Sequence, residues 1–425
     1  MQADSTLAFA DSLGPRQGDR ITITQSRTMA FSAPTPPSAI PAPGGALGVL
    51  PGEQFAASPL LSADAAMWAV VLAGGIGSRF WPLSSPTRPK QLLRLLGDEP
   101  LIGDCIGRLD PLIPAERVLV VTSADIAPAI RTAIPTVPAG NILVEPRPLG
   151  TAAAVAYGAQ EVVRRGGPDT LVALLHADIA VSFADAFRHT LRVAGGVAAR
   201  DDVIVTIGCA AVRADPAFGY AVPAAAVSPD HPFASGGPAY VARFVEKPSA
   251  EHAAQLIAQR AVWHSGVCVW RSRVMLDELR RCTPEVASAL EHLERGAHDA
   301  FFEAVRPTSI ERGLFERSDG LVLVPGEFGW DDVGTWASLR RARDLDDDGN
   351  GGRGSAHFVD ASGNIVHAEG ADVVLFGVDN LLVVTIEGIT FVTTVDRATD
   401  LRSLLDQLPD RVRRASAGHR GPGST

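Results

Sequence analysis

Of the 38 basic residues in this chain, only two, Lys90 and Lys247, are lysines. A chain that otherwise takes arginine as its cation keeps lysine where a compact ammonium fits and a planar fork does not. Lys90 closes a stretch with its own chemistry. An apolar run from Trp68 to Ala73 reads as a buried strand, and it empties into Gly74, Gly75 and Gly77, then Ser78 and Arg79. Glycines let the backbone bend there and turn its N–H groups toward an anion. Arg79 and Lys90 add full positive charge. A strand ending in such a cradle suits the phosphates of a nucleotide. A second apolar run, Leu171 to Leu175, ends at His176-Ala177-Asp178. A carboxylate at the mouth of a buried strand needs a partner. Mg²⁺ carried on nucleotide phosphates would supply one. His176 suits a hydrogen-bonding wall better than a metal ligand, because Mg²⁺ prefers oxygen.

Three loop types compete for Leu72–Arg79. A Walker loop requires Gly-x-x-x-x-Gly-Lys-Ser/Thr, and that spacing is absent. A dinucleotide fingerprint requires a third glycine where Phe80 stands. The third type is Gly-Gly-x-Gly-x-Arg-x-Trp-Pro-Leu-Ser followed by Pro-Lys-Gln. Gly74 to Ser84 and Pro89-Lys90-Gln91 match it without a gap. On these residues the chain resembles the mannose-1-phosphate guanylyltransferase family of sugar-nucleotide pyrophosphorylases.

The resemblance continues through further segments, most of them with departures from the family. Glu145-Pro146 and Thr151-Ala152 correspond to the family's base-pocket segment, with Leu149-Gly150 in place of Arg-Asn. Phe218-Gly219-Tyr220 is similar to Tyr-Gly-Tyr, whose glycine lets a sugar approach; Ala221 follows it. Phe244-Val-Glu246-Lys247-Pro248 matches Phe-x-Glu-Lys-Pro, in which Glu holds sugar hydroxyls and Lys the sugar phosphate. Val262–Trp270 is similar to Trp-Asn-Ser-Gly, with His264 where Asn is usual. Gly329–Trp336 matches Trp-x-Asp-x-Gly-x-Trp, with Asp332 as second metal ligand and Asp331 where Ser is usual.

The resemblance thus implies nucleotide contacts from Leu72, Ala73, Gly74, Gly75, Gly77, Ser78, Arg79, Lys90, Glu145, Thr151 and Ala152. It implies sugar-phosphate contacts from Gly219, Tyr220, Glu246, Lys247 and His264. Asp178 and Asp332 would hold Mg²⁺, and with Arg79 and Lys90 they form the expected catalytic set. The implied reaction joins GTP and mannose 1-phosphate into GDP-mannose and pyrophosphate. Another hexose or heptose 1-phosphate stays open, because of His264, Leu149, Gly150 and Ala221. So do a sugar-nucleotide-binding regulatory subunit and a nicotinamide oxidoreductase. Mg²⁺-dependent pyrophosphate release separates the enzyme from the regulator.

The net charge of −10 argues against a nucleic-acid binder. No apolar run approaches the ~20 residues of a membrane span. Four scattered cysteines, with no Cys-x-x-Cys pair, favour a reducing, cytoplasmic setting and no zinc site.

Residues 1–66 are rich in Ala, Pro, Ser and Gly and read as a disordered leader without a secretory block. Met67 precedes the first strand, so the natural start is expected there; N-terminal sequencing of the native protein tests this. From 67 to 345, apolar runs at Val118–Val121, Ile142–Val144, Leu171–Leu175, Val203–Ile207 and Tyr240–Val245 alternate with helical patterns. The helices are expected near Ile102–Leu109, Ala124–Ala133, Thr151–Arg164 and Phe183–Ala198. This is the pattern of an α/β, doubly wound, mostly parallel sheet, a Rossmann-like nucleotidyltransferase on the resemblance. Arg341–Gly354 reads as a charged then glycine-rich linker. Short apolar segments at Asn364–His367, Val373–Val378, Leu381–Ile386 and Ile389–Thr393 suggest a small C-terminal β-helix-like domain over 346–410. A helix Ala398–Leu408 follows, and 411–425 reads as a disordered tail. No length is expected to remain for the isomerase domain that some relatives append. The family implies subunit contact through the C-terminal domain, hence the expectation of a homodimer.

Overall fold

The computed structural model describes residues 66–75, 78–85, 88–224 and 237–413. The leader up to residue 65, Gly77, and the tail from 414 lie outside the described residues.

The strands in chain order are β1 (Met67–Leu72), β2 (Val118–Ser123), β3 (Ile142–Glu145), β4 (Leu171–His176), β5 (Ala180–Val181), β6 (Ile204–Cys209), β7 (Gly219–Pro223), β8 (Ala239–Glu246), β9 (Val262–Arg271), β10 (Leu321–Pro325), β11 (Trp330–Asp331), β12 (Gly351–Val359), β13 (Ile365–Phe376), β14 (Leu381–Ile386) and β15 (Ile389–Thr394). Nine of them form one sheet, ordered β3-β2-β1-β4-β9-β6-β10-β8-β7. β1 pairs in parallel with β2 and β4, as β6 does with β10. β9 enters antiparallel between β4 and β6, so the sheet is mixed. All five strands expected here form, as do helices Leu101–Gly107, Ala127–Ala133, Thr151–Gly166 and Ala184–Asp201.

Both faces of β1 are buried, which is why it reads as a continuous apolar run. Val70 and Leu72 join one core, which includes helix residues Ala152 to Val162. Met67, Ala69 and Val71 join the other, with Ile102, Ile130 and Phe187. Successive side chains of a strand alternate between faces, and each needs its own covering layer. No helix among the described residues is long and apolar enough to cross a membrane.

The C-terminal strands order β12-β13-β14-β15, with β12, β13 and β14 in parallel and β15 antiparallel. Buried asparagines stack at the turns. Asn364 Nδ2 donates to Asn350 Oδ1 at 3.0 Å and to Val378 O at 2.9 Å. Three expectations are corrected here. The glycine-rich linker is partly strand: Gly351–Gly354 open β12, and the ladder shifts register between Arg353 and Ser355. Asn364–His367 and Val373–Val378 merge into the single bent strand β13, which keeps pairing with β12 across that shift. The final helix is broken into Asp396–Thr399, Leu401–Leu405 and Asp410–Arg413. Its last turn includes residues 411–413 from the expected tail, where Arg413 O accepts from Trp81 Nε1 at 3.3 Å.

One core joins the two parts of the chain. Phe80, Leu83, Leu93 and Leu95 from the signature stretch pack with Trp336, Ile365, Leu382, Val384 and Ile386. Arg88 grips Glu369 with two bonds, at 2.9 and 3.1 Å. Half-buried Arg343 donates to Leu95 O at 2.7 Å and Val366 O at 3.1 Å. Trp336 Nε1 donates to Trp81 O at 3.0 Å, and Trp81 meets the Phe391 ring edge-on at 5.5 Å. The Trp81-Pro82-Leu83 segment therefore seats the signature stretch against the C-terminal strands.

Candidate active site

β1 and β4 run side by side in register, Leu72 opposite His176. Their C-terminal ends therefore deliver the glycine stretch and Asp178 to the same edge of the sheet, where ligands of open α/β sheets bind. Two cavities open there, of about 440 and 280 Å³. They share Lys90, His176 and Asp178.

Lys90 is 6% exposed and sits at this junction. Its Nζ donates to Asp178 Oδ2 at 3.0 Å and to the main-chain O of Asp332 at 2.7 Å. One ammonium thus ties together segments more than 150 residues apart in the chain. Burial works to raise the Asp178 carboxyl, but Lys90 and His176 outweigh it and hold the group below the ordinary range. Asp332 goes the other way. Burial and then neighbouring Asp331 raise it, and Lys90 and Arg341 offset this only in part. Capping of the next turn falls to Thr335, whose side chain and that of Ser338 form a reciprocal box. Asp331 is taken by Arg341 Nε at 2.7 Å and by the Val333 N–H at 2.8 Å. Asp332 is left facing the cavity.

The larger cavity gathers Arg79, Lys90, Asp178, Gly219, Glu246, Lys247, His264 and Asp332. Lys247 Nζ holds Glu246 Oε1 at 2.7 Å. A side chain on residue 219 would press into Glu246 and the Phe244 ring at under 3 Å, so glycine is required there by the protein itself. His264 lies at the base of the cavity, with Nδ1 2.7 Å from Thr206 Oγ1. Burial pushes its pKa down to about 4, with Glu311 opposing and His176 reinforcing. It is a neutral imidazole at neutral pH.

The smaller cavity gathers Leu72, Ala73, Gly74, Gly75, Glu145 and Thr151. Glu145 is 7% exposed, and its Oε1 has no hydrogen-bond partner among the described residues. Burial pushes its pKa up to about 7. Thr151 Oγ1 accepts from the Ile310 N–H at 2.8 Å; it stands inside the helix, whose N-cap is Gly150. Gly150 has φ +88°, and a Cβ there would lie 2.3 Å from Thr308 O. No side chain fits, which accounts for the departure at this position.

Two expected contacts are corrected. Ala152 is fully buried in the helix core, and Ala154 lines the cavity instead. Tyr220 is also fully buried; its hydroxyl donates to Asp215 O at 2.9 Å, and Phe218 faces the cavity. Packing decides the second: the Tyr220 ring is drawn into a cluster with Ala253, Leu256 and Trp263, away from the opening that Gly219 lines. The side chain of Ser78, like Gly77, lies outside the described residues. Two residues were missed. Gln91 Nε2 donates to Ala73 O at 2.7 Å, pinning the end of the glycine stretch, and its place beside Lys90 was a usable signal. Glu311 opens a π-helical turn, Glu311–Phe315, and lines the larger cavity. Nothing in its local sequence marks it, though π turns recur at functional sites.

Asp178 and Asp332, carboxylates of different segments beside Lys90, offer oxygen donors of the kind that would suit a divalent cation shared with substrate oxygens and water. Among the described residues no group of three or more His, Cys, Asp or Glu gathers to cage a metal alone.

The comparisons with known proteins agree with this geometry. The nucleotidyl transferase family model matches residues 68–349. The chain is 30% identical to a mannose-1-phosphate guanylyltransferase of Sinorhizobium fredii, over 80% of this chain and 67% of the relative. It is 30% identical to the alginate biosynthesis protein AlgA of Pseudomonas aeruginosa, over 82% of this chain and 74% of the relative. A solved structure from Thermus thermophilus, described as a mannose-1-phosphate geranyltransferase, superposes with a TM-score of 0.71 at 31% identity, covering 80% of this chain and 98% of that one. With a matched glycine stretch that opens onto joined cavities holding both lysines and both metal-type carboxylates, the chain belongs to the nucleotidyl transferase family, in its mannose-1-phosphate guanylyltransferase branch.

Proposed function

We propose that the protein joins GTP and mannose 1-phosphate into GDP-mannose and pyrophosphate. The observation that carries this is Lys90, held between Asp178 and Asp332 where the two cavities meet. In this reading the nucleotide base fills the smaller cavity and the sugar 1-phosphate the larger. A phosphate oxygen of the sugar 1-phosphate bonds to the α-phosphorus of GTP, and the bond from that phosphorus to the β-phosphate bridging oxygen breaks. The attacker is already an anion, so no protein nucleophile or strong base is required. The work is positioning and charge neutralisation. Arg79 and the loop amides hold the triphosphate, Lys90 meets charge growing at the α-phosphate, and Lys247 anchors the sugar phosphate. Mg²⁺, held by Asp178 and Asp332, would neutralise phosphate charge and help align the two polyanions.

Glu145 supports the choice of guanine. An unpartnered buried carboxylate accepts hydrogen bonds only, and guanine presents adjacent N–H and NH₂ donors on one edge. Protonated below about pH 7, Glu145 loses one acceptor and places an O–H against those donors. The kcat/KM for GTP is therefore expected to rise with pH through an inflection near 7. Glu145→Gln should lower kcat/KM and abolish the inflection; a wild-type profile in the variant refutes the contact.

The deciding experiment measures Mg²⁺-dependent pyrophosphate release with four nucleoside triphosphates against several sugar 1-phosphates. GTP with mannose 1-phosphate should give the highest kcat/KM. Another winning pair revises the substrates, and no release with any pair overturns the enzyme. We also propose a homodimer through the C-terminal strands, on the exposed apolar side chains Val374, Phe376 and Val392, and sedimentation of the chain as a monomer would sink it. Four free, buried cysteines support a reducing compartment, the cytoplasm; fractionation of the native cells tests that placement.

A further inference from the structure

The ribbon of β5 and β11 joins the two metal-type carboxylates. β5 starts two residues after Asp178, β11 ends one residue before Asp332, and the strands pair Trp330 with Val181 and Asp331 with Ala180. The ribbon is a wall with a cavity on each side. Asp332 lines the catalytic cavity in front, and Asp331 lines a separate cavity of about 320 Å³ behind. Trp330 lines both. Its indole N–H is fixed to Ser265 O at 2.9 Å, so its ring forms a shared partition.

The rear cavity has the makings of a ligand site. Its size is at the lower end of the ~300–1,000 Å³ of small-molecule pockets. Trp263, Phe328 and Trp330 supply aromatic surface. Arg213 lies over the Trp263 ring at 4.8 Å, held by Asp215 at 3.0 Å, and Arg341 stands at the ribbon through Asp331. A guanidinium has five donors, so each arginine keeps some beyond its carboxylate partner. The Trp263 indole N–H is buried with no partner among the described residues. Aromatic surface with forked donors suits a flat group attached to phosphate.

We propose that this rear cavity binds a small phosphorylated molecule with a flat or apolar portion, and that its occupancy alters catalysis through the ribbon. The inference rests on the nucleotidyl-transfer reading and extends it to regulation. Two residues per strand give the ribbon few backbone bonds, so it yields more readily than the nine-stranded sheet. A ligand wedged behind it changes the spacing of Asp178 and Asp332, which couples the sites in both directions. The reaction's own product has the required chemistry, and so does a free nucleoside diphosphate.

The test uses the full chain at saturating GTP and mannose 1-phosphate, with GDP-mannose, GDP and pyrophosphate as separate probes. GDP-mannose or GDP should depress kcat even at saturation. Ordered product release alone can mimic that pattern, so two variants are needed: Arg213→Ala, and Ala210→Trp, which fills the cavity from its exposed rim. Both should keep the uninhibited kcat and weaken the inhibition by about tenfold or more. Equilibrium dialysis of GDP-mannose should show a second bound equivalent in the native chain that Ala210→Trp loses. Inhibition by GDP-mannose alone assigns the site to the product, and inhibition by both assigns it to the nucleoside diphosphate. Inhibition that vanishes at saturation, comes from pyrophosphate alone, or persists unchanged in both variants overturns the proposal. If the native chain makes no product, the catalytic reading has failed instead, and the dialysis still decides whether the rear site binds.

Discussion

Lys90→Arg is expected to lower kcat by about 10²–10³-fold while retaining the charge. The ammonium is almost wholly enclosed and bonds two acceptors at once, at 3.0 and 2.7 Å, from segments that are distant in the chain. It also lies 5.9 Å from the centre of the Phe80 ring. A guanidinium is longer and planar, and its donors point in fixed directions. It cannot place one compact charge at the junction of the two cavities. Pyrophosphate release measures the effect. Thermal unfolding and GTP titration serve as controls, because a swollen side chain in this space also strains its neighbours. Turnover near the wild-type rate in a folded variant would refute the role given to Lys90.

Asp178→Asn should cost a similar factor in kcat with little loss of stability. The asparagine amide oxygen can still accept from Lys90, so the contact survives and only the charge goes. The Mg²⁺ concentration for half-maximal activity should rise with it, because a neutral amide is a poor ligand for a hard cation. The pH dependence separates the two carboxylates. Asp178 is held low by burial overcome by Lys90 and His176, so it stays ionised well into acid. Asp332 is raised by burial and Asp331, so it protonates first as pH falls. The acid limb of kcat should therefore follow Asp332 and persist in Asp178→Asn. Unchanged Mg²⁺ dependence in that variant would remove Asp178 from the metal site.

Much of what lines the cavities could be picked out from the sequence. Composition isolated Lys90 and Lys247, and both line the larger cavity. The glycine stretch and Asp178 each followed an apolar run, and a parallel pair of strands carries such ends to one edge. The failures share a different cause. Tyr220 and Ala152 sat in matched motifs, yet which neighbour of a glycine faces a cavity depends on strand phase and helix rotation, and those are set by packing. Glu311 had no local signature, since its place comes from a π-helical turn that sets its carboxylate 3.4 Å from the hydroxyl of distant Thr151. Gly351–Gly354 looked like a linker because glycine has no preference of its own; pairing with β13 makes part of it a strand.

Residue chemistry and order along the chain were enough to establish the α/β class and to single out the glycine stretch, the two lysines and the two carboxylates that the fold places along the cavities, since these follow from local patterns of burial and charge. The joining of the cavities at Lys90, the seating of Trp81 against the C-terminal strands and the second cavity behind the Asp178–Asp332 ribbon arose from contacts between distant segments. Such contacts depend on how layers stack and which face each strand presents, and a one-dimensional pattern carries no record of either.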